Sequence, residues 1–140
     1  MTATVHIADA NRHLCDLYRQ FFSHHGWQVQ ISAGGLECLD QLRQSSPVLL
    51  ILDWHLPWGG ADGLLAVMRE DPQLARIPVI LTTSEATPEA SSGGIGSRVV
   101  RVIRKPFSLA TLHRLALSEL SNGKPGCHEG RDLASPPLCS

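Results

Sequence analysis

The sequence predicts an α/β fold: a doubly wound, five-stranded parallel sheet with helices on both faces. Four near-continuous apolar runs support this prediction, at residues 5–8, 48–52, 79–82 and 99–104. Runs of this length are typical of strands that are covered on both faces of a sheet. The stretches between them are long enough for helices, which is the alternation that builds parallel sheets. A fifth strand, at 28–32, has a weaker signal.

The first helix is predicted to start after Asn11, whose side chain can cap it, and to end before Gly26. Its apolar residues are spaced by three and four positions and form one stripe: Leu14, Leu17, Tyr18, Phe21 and Phe22. A stripe of this kind packs against a core. Residues 28–32 then alternate polar and apolar side chains, as a strand nearer the sheet edge does.

Two further helices are predicted around the third strand. The first follows the glycine pair at 34–35, carries Leu36, Leu39 and Leu42, and is ended by the Ser-Ser-Pro sequence at 45–47. The second comes after a loop rich in turn-forming residues at 54–60 and closes near Asp71. Its apolar residues are Leu64, Leu65, Val67 and Met68.

The last two predicted helices differ in the strength of their sequence signals. The segment 87–97 should supply a crossover helix, but it is rich in glycine and serine, so we expect it to be short, mobile or partly unwound. Ser108 is a good cap for the final helix, which carries Leu109, Leu112, Leu115, Leu117 and Leu120. We therefore expect one domain over 1–122 and a disordered tail over 123–140.

Composition excludes several classes of function. The 140 residues fit one domain, and 12 basic against 13 acidic residues give a formal net charge of −1. That balance gives no electrostatic reason to expect binding to nucleic acid or to an anionic membrane. No apolar run is long enough to span a bilayer, and the first residues do not form a secretory signal. We expect a cytoplasmic protein.

The four cysteines do not indicate a metal site. Cys15 and Cys38 fall within predicted helices, where we expect reduced and partly buried thiols. Cys127 and Cys139 lie in the predicted tail, and the spacing matches no standard zinc pattern.

Four polar side chains follow the ends of predicted strands. Asp9, Asp53 and Lys105 each come directly after an apolar run, and Thr83 does so after the run at 79–82. In open α/β sheets, ligands bind outside the carboxyl ends of the strands. We therefore expect these two carboxylates, one hydroxyl and one ammonium to converge on one small site.

The pieces around these residues resemble the receiver domain of two-component response regulators. The matching segments, in order and at receiver-like spacing, are 7–9, 52–57, 62–63, 78–86 and 105–107. The resemblance covers about Val5 to Leu120 and is closest in kind to single-domain, chemotaxis-regulator-like proteins. It implies a flavodoxin-like strand order of 2-1-3-4-5.

The resemblance also implies roles for individual residues. Asp53 matches the aspartate that accepts a phosphoryl group, Lys105 the lysine that holds a phosphoryl oxygen, and Thr83 the switch hydroxyl. The implied cofactor is Mg²⁺, held by Asp9, Asp53 and the backbone carbonyl of His55. Phosphoryl transfer depends mainly on positioning and on neutralisation of charge, which these groups provide.

Ala10 departs from the family pattern. Receivers usually carry two adjacent acids after the first strand, and here Asp9 is followed by alanine. Mg²⁺ prefers oxygen ligands and keeps waters where the protein offers few of them. We therefore predict weaker Mg²⁺ binding, and phosphorylation that is weaker or needs more Mg²⁺ than in ordinary receivers.

Val102 is a second departure, because many receivers carry Tyr or Phe at this place in the last strand. A branched aliphatic side chain has no ring to swing inward and prefers one rotamer. The usual coupling between the switch hydroxyl and an aromatic ring is therefore in doubt. We consider that ordering of the segment 91–97 substitutes for this coupling.

Two readings of function remain open at this stage. The first is a single-domain response regulator that takes phosphate from a histidine kinase or phosphotransfer protein and signals through protein contacts. Its only chemistry would be self-catalysed phosphorylation and dephosphorylation of Asp53. The second is a pseudo-receiver that binds partners without phosphorylation.

A hydrolase or nucleotide-binding enzyme is disfavoured, because the glycines at 94–96 precede a strand instead of following one. The downstream partner and the oligomeric state are left open.

Overall fold

The computed structural model describes residues 3–57, 60–84 and 99–122 and confirms the predicted fold class. Five strands form one sheet in the order β2-β1-β3-β4-β5, and every neighbouring pair is parallel. The strands are β1 (Thr4–Ala8), β2 (Gln28–Ser32), β3 (Leu49–Asp53), β4 (Val79–Thr83) and β5 (Val99–Arg104). The strand order is the one that the resemblance implied, with β2 at an edge.

Four α-helices and one short 3₁₀ helix accompany the sheet in the described residues. They are α1 (Arg12–His24), α2 (Gly35–Gln44), α3 (Gly60–Glu70), the 3₁₀ helix Leu74–Arg76 and α4 (Leu109–Asn122). The sheet, α1, α2 and α3 belong to one compact unit, 1–107, and α4 belongs to a second, which starts at Ser108. The segments predicted as a weak helix and as a tail, 87–97 and 123–140, lie outside the described residues.

One face of the sheet packs against α2 and α3. Ala8, Leu52 and Leu81 are neighbours in register across β1, β3 and β4, and all are buried in one cluster with both helices. The helix residues in this cluster are Cys38, Leu42, Ala61, Leu64, Leu65 and Met68. Because alternate side chains of a strand point to opposite faces, this row defines the α2–α3 side of the sheet.

The opposite face packs against α1. The alternate row of strand residues is Ile7, Ile51 and Ile80, which are also neighbours in register and are buried. The buried residues of α1 are Cys15, Tyr18 and Phe22. The predicted stripe is therefore wrong in one respect: Leu17 is 40% exposed, and Cys15 takes its place in the core. Relative to the predicted stripe, the helix is rotated so that Cys15, Tyr18 and Phe22 face the sheet.

The ends of the helices follow the predicted signals. The Asn11 side chain accepts a hydrogen bond of 3.0 Å from the Leu14 N–H, which caps α1. Gly26 lies at φ +90°, a left-handed conformation that favours glycine, just after α1 ends. In the second unit, the Ser108 hydroxyl caps α4 by accepting from the Thr111 N–H at 3.0 Å.

A buried histidine joins the edge strand to its neighbour. His6 is 0% exposed, and its ring nitrogens lie 3.3 Å from Gln30 Oε1 and 2.9 Å from Ser32 Oγ. The amide of Gln30 donates in turn to Ser45 Oγ at 3.0 Å. Since the Gln30 oxygen can only accept, Nδ1 of His6 carries the proton and Nε2 accepts from Ser32. Burial lowers the pKa of His6, while the Gln30 hydrogen bond and the charge of Glu37 oppose that shift.

His6 should make the fold sensitive to acid. Its pKa is 6.5 in the unfolded chain and lower in the fold, so the unfolded state binds the proton first. We expect the free energy of unfolding to fall by about 1 kcal/mol as the pH drops below the unfolded value. Chemical denaturation between pH 7.5 and pH 5 measures this loss.

The matched pair of variants for this test is His6→Gln and His13→Gln, because His13 is exposed. His6→Gln should flatten the pH dependence, whereas His13→Gln should leave it unchanged. Equal slopes in the wild-type protein and in His6→Gln would show that His6 does not carry the acid sensitivity.

Candidate functional site

Four predicted side chains lie at the carboxyl edge of the sheet. Asp9 directly follows β1, Asp53 and Thr83 are the last residues of β3 and β4, and Lys105 directly follows β5. The Lys105 ammonium lies 3.0 Å from Asp9 Oδ2 and 3.5 Å from Asp53 Oδ1. Strands that are distant in sequence thus bring two carboxylates and one cation together.

Asp9 is held on several sides. It is 3% exposed, its Oδ1 accepts from the Asn11 N–H at 2.9 Å, and its backbone N–H donates to the Ser32 carbonyl at 3.1 Å. The Cys15 thiol donates to the Asp9 carbonyl at 3.2 Å. Cys15 and Cys38 are free and buried, as expected. The position of Asp9 therefore depends on β2 and on α1 as well as on β1.

Asp53 is a partly desolvated carboxylate. It is 9% exposed, and its Oδ1 accepts a long hydrogen bond of 3.4 Å from the His55 N–H. Burial raises the pKa of Asp53, and the charge of Asp9 adds to that effect, while Lys105 and the His55 N–H act in the opposite direction. A poorly hydrated carboxylate is a stronger nucleophile than a fully hydrated one, provided that a nearby cation keeps it ionised.

The loops around the site are tied to the sheet by backbone hydrogen bonds. The Lys105 N–H donates to the Thr83 carbonyl at 2.7 Å, and the Trp54 N–H donates to the Thr82 carbonyl at 2.8 Å. The peptide bond between Lys105 and Pro106 is cis. Thr83 is 2% exposed and continues the row of strand residues on the α2–α3 side. The switch hydroxyl predicted from the sequence therefore lies at the edge that also holds Asp53.

The donor groups fit a sparsely ligated magnesium ion. No group of three or more His, Cys, Asp or Glu side chains in the described ranges is arranged to hold a metal. Asp9 and Asp53 supply two carboxylates, and Ala10 is exposed where a third acid would stand. Mg²⁺ is commonly bound through one or two carboxylates and keeps several waters. The residues present match that minimal requirement.

Two residues of the interior bear on how a change at the site could be transmitted to the surface. Val102 is half-buried and packs against the cluster on the α2–α3 side, so β5 offers no ring at this place. On the α1 side, Tyr18 is fully buried; its place in the apolar stripe predicted its burial but not a role near the site. A single hydroxyl within a stripe of Leu and Phe was the signal that could have marked it.

Comparison with protein families decides the classification. The sequence model of the response regulator receiver domain matches residues 5–117. The chain belongs to the response regulator receiver family. Receiver domains are signalling modules of two-component systems, and they interact with histidine kinases or phosphotransfer proteins and with downstream targets. They typically bind Mg²⁺ in an acidic pocket and are generally not enzymes in their own right.

Individual relatives of this receiver domain are distant. The polar-differentiation response regulator DivK of Brucella ovis is 28% identical over 116 residues, which are 80% of this chain and 94% of DivK. The phosphate regulon regulatory protein PhoB of Rhizobium meliloti is 27% identical over 125 residues, which are 89% of this chain. This match covers 55% of PhoB, so the chain spans about half of that relative.

Solved structures share the fold of this receiver domain. The receiver domain of the Francisella response regulator 1452 superposes with a TM-score of 0.79 at 21% identity, covering 88% of this chain and all of that one. In the part of the chain that the structure describes, none of the helices has the length and apolar character of a membrane span.

Asp53→Asn should stabilise the receiver domain when no divalent cation is present. Because the pKa of Asp53 is raised, the charged form costs stability at neutral pH, and a neutral amide removes that cost. We expect the free energy of unfolding at pH 7 to rise by about 1 kcal/mol. The gain should shrink as the pH falls through the raised pKa of Asp53, and should be lost below the usual carboxyl pKa of 3.8, where Asp53 is neutral in both the folded and the unfolded chain.

Urea denaturation at pH 7 and at pH 3.5 gives both values. Asp40→Asn, at an exposed position of α2, is the matched control and should change stability by less than about 0.5 kcal/mol. A loss of stability in Asp53→Asn at pH 7 would mean that the Lys105 contact outweighs burial and the charge of Asp9.

Proposed function

We propose that this receiver domain accepts a phosphoryl group on Asp53 from a histidine kinase or a phosphotransfer protein, and that it signals through protein contacts. The observation that supports this proposal is the position of Lys105, whose ammonium contacts both Asp9 and Asp53 at the carboxyl edge of the sheet. A cation beside a partly buried carboxylate is the arrangement that phosphoryl transfer to that carboxylate needs.

The proposed reaction forms one bond and breaks one. A carboxylate oxygen of Asp53 forms a bond to phosphorus while the phosphorus–nitrogen bond of the donor's phosphohistidine breaks, and the imidazole leaves. Lys105 neutralises part of the charge that builds up on the phosphoryl oxygens. Thr83, at the end of β4, would hydrogen-bond the bound phosphoryl group. The domain itself performs no chemistry beyond this transfer and the later hydrolysis.

Mg²⁺ would be held by Asp9, by Asp53 and by the backbone carbonyl of His55, with waters in the other positions. When bound, the ion would supply further positive charge at the phosphoryl oxygens. Since Ala10 offers no carboxylate, the site carries one acid fewer than is usual in the family. Weak binding of Mg²⁺ is therefore part of the proposal.

A pseudo-receiver is the second candidate function. Ala10 and Val102 favour it, because both replace residues that support phosphorylation or its read-out in other receivers. Asp9, Asp53, Thr83 and Lys105 are retained, and both carboxylates contact the lysine. A module that only binds partners has no need of that arrangement, which is why phosphorylation is the preferred function.

Phosphorylation should depend on Asp53 and on a high concentration of Mg²⁺. We expect intact-mass spectrometry to show one phosphoryl adduct after incubation with phosphoramidate across a titration of Mg²⁺. Asp53→Asn should show none, because an amide is a poor nucleophile. Asp40→Asn should retain the adduct. Absence of an adduct at every Mg²⁺ concentration would support the pseudo-receiver instead.

Ala10→Asp should strengthen Mg²⁺ binding. A carboxylate at this exposed position returns both an oxygen ligand and a negative charge to the site. We expect the dissociation constant for Mg²⁺, measured by calorimetry, to fall by about tenfold, the lower end of what changes around a metal site usually cause. Ala10→Asn is the control without the charge and should gain much less. Equal affinities in all three proteins would show that Ala10 does not limit metal binding.

A further inference from the structure

Tyr18 is a buried side chain with an unused hydroxyl. It is 0% exposed, and its hydroxyl has no hydrogen-bond partner among the residues that the structure describes. Its ring stacks on Phe107, with ring centroids 6.4 Å apart and planes 21° from parallel. Buried hydroxyls are almost always paired, and leaving one unpaired costs about 1–3 kcal/mol. An exception of this kind calls for a physical reason.

The hydroxyl lies on the side of the sheet that leads to the site. Asp53 is the register neighbour of Thr82, and both continue the isoleucine row that faces α1. Cys15, one turn before Tyr18 on the same face of α1, donates to the Asp9 carbonyl. Thr82 carries the other buried hydroxyl without a partner among the described residues. Two unpaired hydroxyls therefore belong to the same face as the acceptor.

Electrostatics connects Tyr18 with both acidic residues. Burial raises the pKa of Tyr18, and the charges of Asp9 and Asp53 raise it further. The hydroxyl therefore keeps its proton at any physiological pH and remains a hydrogen-bond donor. The site holds two carboxylates against the ammonium of Lys105, which is 21% exposed. A phosphoryl group on Asp53 would add negative charge there and increase the demand for donors.

We propose that Tyr18 is a positioning residue of the phosphorylated site, and that its hydroxyl donates a hydrogen bond from the α1 side once Asp53 carries a phosphoryl group. This inference rests on the proposed function. Among the described residues this hydroxyl has no partner, so it is available to an oxygen of a phosphoryl group. Its partner is an oxygen of the modified Asp53 side chain, reached directly or through one buried water.

The stacking of Tyr18 on Phe107 would transmit the formation of this hydrogen bond towards the surface. Phe107 follows Lys105 by two residues, so a shift of Tyr18 moves the segment that also carries the cation. The place where many receivers have a movable ring is occupied by Val102. Tyr18 would thus supply, from α1, the aromatic group that β5 lacks.

A fluorine probe tests the proposal on the intact protein. Tyr18 is the single tyrosine of the chain, so incorporation of 3-fluorotyrosine gives one fluorine resonance. We expect that resonance to move when phosphoramidate and Mg²⁺ phosphorylate Asp53, and to stay unchanged in Asp53→Asn under the same conditions. A resonance that does not move while mass spectrometry shows the adduct would overturn the inference and leave the proposed function intact.

Tyr18→Phe removes only the hydroxyl. We expect the lifetime of the adduct to shorten about tenfold, as loss of a hydrogen bond to a charged group implies, while resting stability is unchanged or slightly higher. Asp40→Asn, at an exposed position of α2, is the control and should keep the lifetime. Equal shortening in both variants, or in neither, would overturn the role of Tyr18. If the wild-type protein forms no adduct at all, both the function and this inference fail.

Discussion

The contact of one ammonium with two carboxylates is the interaction on which the site depends. Without Lys105, Asp9 and Asp53 would be like charges in a poorly hydrated place, and the charge of Asp9, which raises the pKa of Asp53, would be unopposed by a cation. Lys105 is held there by the backbone of β4, which accepts from its N–H. The cation is therefore part of the sheet's hydrogen-bonding pattern, and the charge balance of the site follows from the pairing of β4 with β5.

The two faces of the sheet give the site its two kinds of residue. The row formed by Ile7, Ile51 and Ile80 packs towards α1 and runs on into Asp53 and its register neighbour Thr82. The alternate row packs towards α2 and α3 and runs on into Thr83. The carboxylate of Asp53 ends the row that faces α1, and the predicted switch hydroxyl of Thr83 ends the row that faces α2 and α3. Alternation along a strand thus places Asp53, the proposed acceptor, and Thr83, the predicted switch residue, in different rows.

Much of this organisation could be predicted from the sequence. Strands β2 and β5 have the predicted bounds, and the strand-end argument brought Asp9, Asp53 and Lys105 together correctly. The predicted third strand began at Val48 and stopped before Asp53; in the structure it begins at Leu49 and includes Asp53, because that residue still pairs with Thr82. The spacing correctly placed Tyr18 in the core, whereas the exposure of Leu17 and the burial of Cys15 depend on how α1 packs against the sheet and are not encoded in spacing alone. The structure shows that Asp9, Asp53 and Lys105 lie together, but the roles of all five site residues remain predictions: Asp9, Asp53, His55, Thr83 and Lys105.

Ser32 belongs to two polar systems at once. Its hydroxyl lies 2.9 Å from His6 Nε2, and its carbonyl accepts from the backbone of Asp9. The residue sits on the edge strand β2, and its backbone carbonyl helps to hold one of the two acids of the site. Any residue at this position can supply the backbone carbonyl to Asp9, so only the contact with His6 requires the serine hydroxyl. In a collection of related chains, the residue at this position should change together with position 6, as a pair and not as two independent sites.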